Sequence, residues 1–324
     1  MLRYIYKLFE FIIPLFIIVL LLFNVASENH EFQPTSMYYN QEFESAFKDK
    51  NYFDVVAIGN SKLLSAIDKK TLEENNKHSV VNIGYSSSNI SVSKLTLESY
   101  LNNCSTNPQL ILLEVSWFTF NNKRTHLHGI VGDLFIRDFK LWKNYYHYDS
   151  ELLLPKIKKS WKTSLKTSLK KIIGIKHSSE QTSYADIFKD PSPHSVDYKF
   201  DIKEMEVIFP EHVAGINKSL LKDFYSIISM CRNRNIDLIL FTAPEDEKYS
   251  KLQKDIQEIK NIFVDVAGTN SNVFYLDYSL GGDLYSKSSE KWLLNSHHIN
   301  ENTLFSKKLL GDIKARTHNN VYKK

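Results

Sequence analysis

Two short polar clusters hold the residues best suited to chemistry. Gly59-Asn60-Ser61 offers a serine where an apolar run breaks off, and Asn295-Ser296-His297-His298-Ile299-Asn300 offers two histidines near the end of the chain. A serine hydroxyl is a poor nucleophile until a neighbouring imidazole takes its proton. The imidazole needs an acceptor of its own to fix its tautomer. His298 is the candidate base, and Asn295, three residues earlier, occupies the orienting place. An amide carbonyl accepts the hydrogen bond but does not stabilise an imidazolium as a carboxylate does. Asp277 is the nearest true carboxylate by strand logic. The chemistry indicated is acyl transfer or ester cleavage through an acyl-enzyme on Ser61. The plain alternatives stay open: a small residue in such a turn also serves packing alone, and histidines in a C-terminal loop are commonly surface residues. No carboxylate or cysteine stands at ligand spacing beside His297 and His298, so no metal is expected.

These residues need a frame that brings them together. Val55, Val56, Ala57 and Ile58 form a short apolar run that reads as a buried parallel strand, and Lys62 to Asn75 then reads as a helix. Further strands are expected at 80–84, 110–115, 236–242 and 273–276, with helices at 91–101, 216–233, 249–266 and 304–315. Strand and helix alternating at this spacing imply right-handed crossovers and a parallel α/β sheet. In such a sheet every loop leaving a strand's carboxyl end gathers on one edge, where open α/β folds bind ligands. Ser61 and His298 therefore reach the same edge from opposite ends of the chain. The helix start at Ser61 also presents backbone N–H groups suited to a developing oxyanion.

The 324 residues carry a net charge of +4, 43% hydrophobic and 13% aromatic residues, and only two cysteines, Cys104 and Cys231. That balance supports a real core, gives no disulfide or metal framework, and does not point to nucleic acid. Whether the two cysteines pair stays open. No repeat and no Gly-rich phosphate loop is present, so no cofactor is expected. Phe11 to Phe23 is apolar apart from Pro14, follows Arg3 and Lys7, and extends to Ala26. With Leu8 and Phe9 it is long enough to span a bilayer, N-terminus inside and the remainder exported. A cleaved signal peptide ending at Ala26 is the rival reading. The expected layout is a stub and anchor at 1–26, a tether at 27–53, an α/β domain at 54–315 with an insertion at 118–205, and a basic tail at 316–324. Within the insertion, lysines from Lys156 to Lys176 alternate with Ile157, Trp161, Leu165, Leu169 and Ile172, the pattern of an amphipathic basic helix. That lysine face is either simply solvated or in contact with anionic lipid or glycan.

The blocks Gly59-Asn60-Ser61, Asn82-Ile83-Gly84, Glu114-Val115-Ser116-Trp117 and Asn295 to Asn300 together resemble the SGNH (GDSL-like) hydrolase superfamily. More narrowly they are similar to its membrane-anchored branch, with the DltD-like D-alanine transfer proteins and the alginate-type O-acetyltransferases. The resemblance covers about 54–312, with the insertion at 118–205 unmatched, and implies a three-layer, flavodoxin-like parallel sheet. It implies Ser61 as nucleophile, with Asn60 in the variable place beside it. Gly84 joins Ser61 in the oxyanion hole, and His298 is the base.

Three features depart from that pattern. Asn295 replaces the usual Asp; Ser116-Trp117 stands where an oxyanion-hole Asn is expected; and Asn302-Thr303-Leu304 replaces a Gly-Ala. Two functions follow from the resemblance. One is an extracytoplasmic enzyme that acylates or deacylates a cell-surface polysaccharide, working with a membrane-bound O-acyltransferase. The other is a catalytically impaired accessory protein on the same fold that binds glycan or such a partner.

Overall fold

A computed structural model describes residues 12, 42–47, 52–73, 77–85, 88–117, 119–120, 129–147, 150–172, 216–244, 255–279 and 302–316. The chain divides into two compact units, Met1–Gln33 with His128–Glu180, and Pro34–Leu127 with Gln181–Lys324. Apart from Ile12, the expected anchor lies outside the described residues. Among those residues, no helix is long and apolar enough to cross a membrane.

The larger unit begins with a short helix, α1 (Glu42–Phe47), followed by strand β1 (Val55–Ile58). Two short helices, α2 (Ser61–Ala66) and α3 (Lys69–Leu72), lead to β2 (Val80–Asn82). Helix α4 (Ile90–Asn103) and strand β3 (Leu110–Glu114) complete the first half. The sheet is five-stranded, in the order β2-β1-β3-β4-β5, and every pairing is parallel. Its last two strands are Asp237–Thr242 (β4) and Val273–Asp277 (β5). This is the flavodoxin-like order, whose topological switch point falls between β1 and β3.

Both faces of the sheet are covered, so β1, β3 and β4 are buried along their whole length, and their interiors are apolar runs rather than alternating ones. One face, with Val55, Ala57, Leu110, Leu112, Ile239 and Phe241, packs on Leu63, Ala66 and Leu72 of α2 and α3. The same core takes in Phe305, Leu309 and Ile313 from the closing helix (Asn302–Arg316). On the other face a helix at Lys218–Asn233 buries Leu220, Phe224, Ile227, Ile228 and Cys231. Phe224 there meets Phe120 and Phe263, and Phe263 stacks on Tyr275 of β5. Phe263 belongs to a helix at Ile256–Thr269. The three-layer α/β architecture is thus present.

The single helix expected at 62–75 is broken. Ile67 and Asp68 are extended between α2 and α3. The cause lies far along the chain: Ser306 Oγ accepts the Asp68 N–H at 2.8 Å and donates to the Ala66 carbonyl at 3.2 Å. Asp68 in turn accepts from Thr71 at 2.5 Å. Helix α4 starts one residue earlier than expected because Asn89 caps it, its Oδ1 accepting the Val92 N–H at 3.0 Å. The helix expected at 249–266 is described from Ile256 and runs on to Thr269. Both cysteines are free, Cys104 half-buried and Cys231 buried.

In the smaller unit, α5 (Gly129–Arg137) is followed by 3₁₀ turns at Phe139–His147 and a long helix, α6 (Ser150–Ile172). The lysine-rich helix exists, but its buried row differs from the expected apolar one. Leu153, Ile157, Ser160, Ser164 and Ser168 are buried, whereas Trp161 and Leu165 are half-buried. Serines fill that row because α5 approaches closely. A Cβ on Gly132 would lie 2.4 Å from the Lys156 carbonyl oxygen and 2.7 Å from Ser160 Oγ. Larger side chains would hold the two backbones apart.

Candidate active site

The turn after β1 is built by three consecutive residues with separate tasks. Gly59 has no room for a side chain, since a Cβ there would fall 2.7 Å from the Glu114 Cβ and 3.2 Å from the Leu63 Cβ. Asn60 is the N-cap of α2, extended at φ −102°, and its Oδ1 accepts the Lys62 N–H at 2.8 Å. Ser61 is the first helical residue and is half-buried. Among the described residues, no hydrogen bond engages its hydroxyl. The neighbouring Lys62 is 3% exposed, a burial that its sequence position does not announce.

Beside this turn, the switch point opens a small polar hollow of about 280 Å³, counting the solvent at its mouth. Gly59 and Asn60 form one wall. Ser88, Asn89 and Ser93, at the start of α4, form a second. Glu114, Ser116 and Thr119, at the end of β3 and just beyond, form the third. Much of this lining is held by bonds within the wall. Ser88 Oγ donates to the Gly59 carbonyl at 3.0 Å, and Thr119 Oγ1 accepts the Ser116 N–H at 2.8 Å. Glu114 is buried at 4% exposure, and Ser116 at 1%. Ser116 therefore borders the hollow as a buried wall residue. Sequence reasoning left Glu114 without a role. Its signal was a charge closing a wholly apolar strand.

Gly84 comes alongside α2, where a Cβ would meet Leu63 Cδ2 at 2.7 Å. Its N–H donates to Asn82 Oδ1 at 3.0 Å, so in this state the donor is turned to its own strand end. The adjacent Tyr85 N–H bonds the Gly59 carbonyl at 3.0 Å, tying the second block to the turn that carries Ser61.

Asp277 is not brought to this edge position. It ends β5, three strands from β1, a separation of about 14 Å at ordinary strand spacing. Its Oδ2 pairs with Lys260 at 2.5 Å, and its Oδ1 accepts Ser279 Oγ at 2.6 Å and the Ser279 N–H at 3.0 Å. Burial pushes the carboxyl up, but the Lys260 ammonium and the Ser279 donors outweigh it and hold Asp277 below the usual carboxylate range. Asn295, His297 and His298 lie outside the described residues. Among those described, no group of histidine, cysteine and acidic side chains is placed to hold a metal.

No family model matches the chain, and no curated protein matches it. Among solved structures, a Bacteroides fragilis chain named only provisionally as an acylhydrolase overlays with a TM-score of 0.39 at 11% identity. The overlay covers 84% of this chain and 93% of that one. An overlay with so low a TM-score carries no argument.

Proposed function

We propose that this chain is an SGNH-type serine acyltransferase or esterase acting on a cell-surface polysaccharide. In this reading Ser61 Oγ attacks the acyl carbonyl while His298 takes its proton. The tetrahedral intermediate collapses to an acyl-enzyme as the leaving oxygen takes that proton back. A sugar hydroxyl or water then attacks, with His298 again as base. Asn295 orients the imidazole, and the Ser61 and Gly84 N–H groups receive the oxyanion. The apolar N-terminal segment holds the domain outside the membrane, near a membrane-bound O-acyltransferase that supplies the acyl group.

The observation that carries the reading is the position of Ser61. It opens the helix after β1, directly after Gly59 and Asn60, which line the polar hollow at the switch point of a flavodoxin-like sheet; Ser61 itself is not part of that lining. The test is intact mass after treatment of the purified protein with a serine-reactive fluorophosphonate. A single adduct that is lost in both Ser61→Ala and His298→Ala supports the enzyme. No adduct on the folded protein sinks it.

A second reading, an accessory protein without turnover, has its own support. The Gly84 N–H is already bonded to Asn82, and Asp277 is already paired with Lys260. Losing the carboxylate of a triad costs on the order of 10⁴ in rate, so Asn295 also favours it.

A further inference from the structure

Helix α6 plays no part in the reading above, and its surface is divided in a way that suits a partner of definite chemistry. Its buried row, Leu153, Ile157, Ser160, Ser164 and Ser168, is one stripe of a 3.6-residue helix. At about 100° per residue, Lys158, Lys159, Lys162 and Lys166 fall on the opposite side, and all four are exposed. Between these rows runs an apolar flank. Leu154 is 52% exposed there, and Trp161 and Leu165 are half-buried. From Leu152 to Lys176 the chain has eight lysines and no acidic residue to offset them.

A helix that lies on a bilayer carries a lysine-rich polar face with tryptophan and leucine next to it, and α6 has that division: an unopposed lysine row, with Leu154, Trp161 and Leu165 along one flank. The lysine row calls for a dense array of anions. The apolar flank calls for a surface that also takes up hydrocarbon. A soluble anionic polymer meets only the first demand, whereas the interface of an anionic bilayer meets both. We propose that α6 docks lengthwise on an anionic lipid surface. Its lysine row lies among the headgroup phosphates, and Leu154, Trp161 and Leu165 enter the boundary between headgroups and acyl chains. Each lysine near such a surface strengthens binding about fivefold. This inference does not depend on Ser61 or on catalysis.

The test is lysine footprinting of the full chain in nanodiscs, with an amine-acylating reagent and peptide mass spectrometry. Discs of phosphatidylcholine alone are compared with discs enriched in phosphatidylglycerol. Labelling at Lys158, Lys159, Lys162 and Lys166 is expected to fall severalfold on the anionic discs. It should recover in about 1 M salt, where screening acts within roughly 3 Å. Lys218 and Lys307, exposed on the larger unit, should label alike throughout. A variant with Lys158, Lys162 and Lys166 changed to Glu should lose the protection at Lys159 without a change in melting temperature. Equal labelling on the two kinds of disc overturns the proposal. So does protection by soluble polyphosphate that anionic discs fail to reproduce.

Discussion

Gly59 and Glu114 meet at the carboxyl ends of two paired strands, so closely that a Cβ at position 59 would fall 2.7 Å from the Glu114 Cβ. The contact joins the residue two before Ser61 to the buried carboxylate that closes β3. A Cβ is fixed to the backbone and cannot swing aside, so relief requires the strand ends to part. Gly59→Ala should therefore cost about 1–3 kcal/mol, the range for overpacking. Gly84→Ala should cost less, because its nearest neighbour, Leu63 Cδ2, is the far end of a flexible side chain. Urea unfolding midpoints of the two variants give the ranking. The reverse order would refute this account of the turn.

Asp54 gathers the entry ends of three strands. Its carboxylate accepts the Ser79 N–H at 2.8 Å, Ser79 Oγ at 2.9 Å, Tyr52 OH at 2.6 Å and Gln109 Nε2 at 3.1 Å. Asp54→Ala should lower stability by about 2 kcal/mol, as expected for hydrogen bonds to a charged group near the surface. A urea midpoint within error of the parent would show that the clamp contributes nothing.

Ser306 holds the break between α2 and α3 through one accepted and one donated bond. Ser306→Ala leaves both Asp68 N–H and the Ala66 carbonyl short of a partner, at a cost of about 1–3 kcal/mol. Thermal unfolding measures it. A neutral result would mean that the break persists through the Asp68 carboxylate, which Thr71 and Thr303 both bond.

The Asp277–Lys260 pair sets an acid limb on stability. The folded carboxyl is held below its ordinary value, so its contribution is full above the unfolded pKa of about 3.9 and is lost as pH falls through the folded value. Melting temperature should drop less steeply below about pH 4 in Lys260→Met than in the parent. Identical acid limbs would count against the pairing.

The thiols should differ in reactivity. Burial pushes Cys231 up to about 12 and also raises the half-buried Cys104. In the native protein at neutral pH, Cys104 should react slowly with a disulfide reagent and Cys231 not at all until unfolding. Rapid reaction of both would contradict the full burial of Cys231.

The strands and the turn that carries Ser61 were legible from the residues alone. Val55 to Ile58, Leu110 to Glu114 and Asp237 to Thr242 are short apolar runs closed by small or polar residues, and a strand covered on both faces has no other appearance. Ser61 followed from the same break. What the chain could not disclose depends on residues far apart in it. The order β2-β1-β3-β4-β5 decides that Gly59 meets Glu114 and that Asp277 stands three strands away. Helix propensity runs on through Ile67 and Asp68, and it is overruled from the closing helix, where Ser306, 238 residues beyond Asp68, and Thr303 both bond the break. Local pattern records which surfaces must be buried. Which partner buries each of them is settled only when distant segments pack.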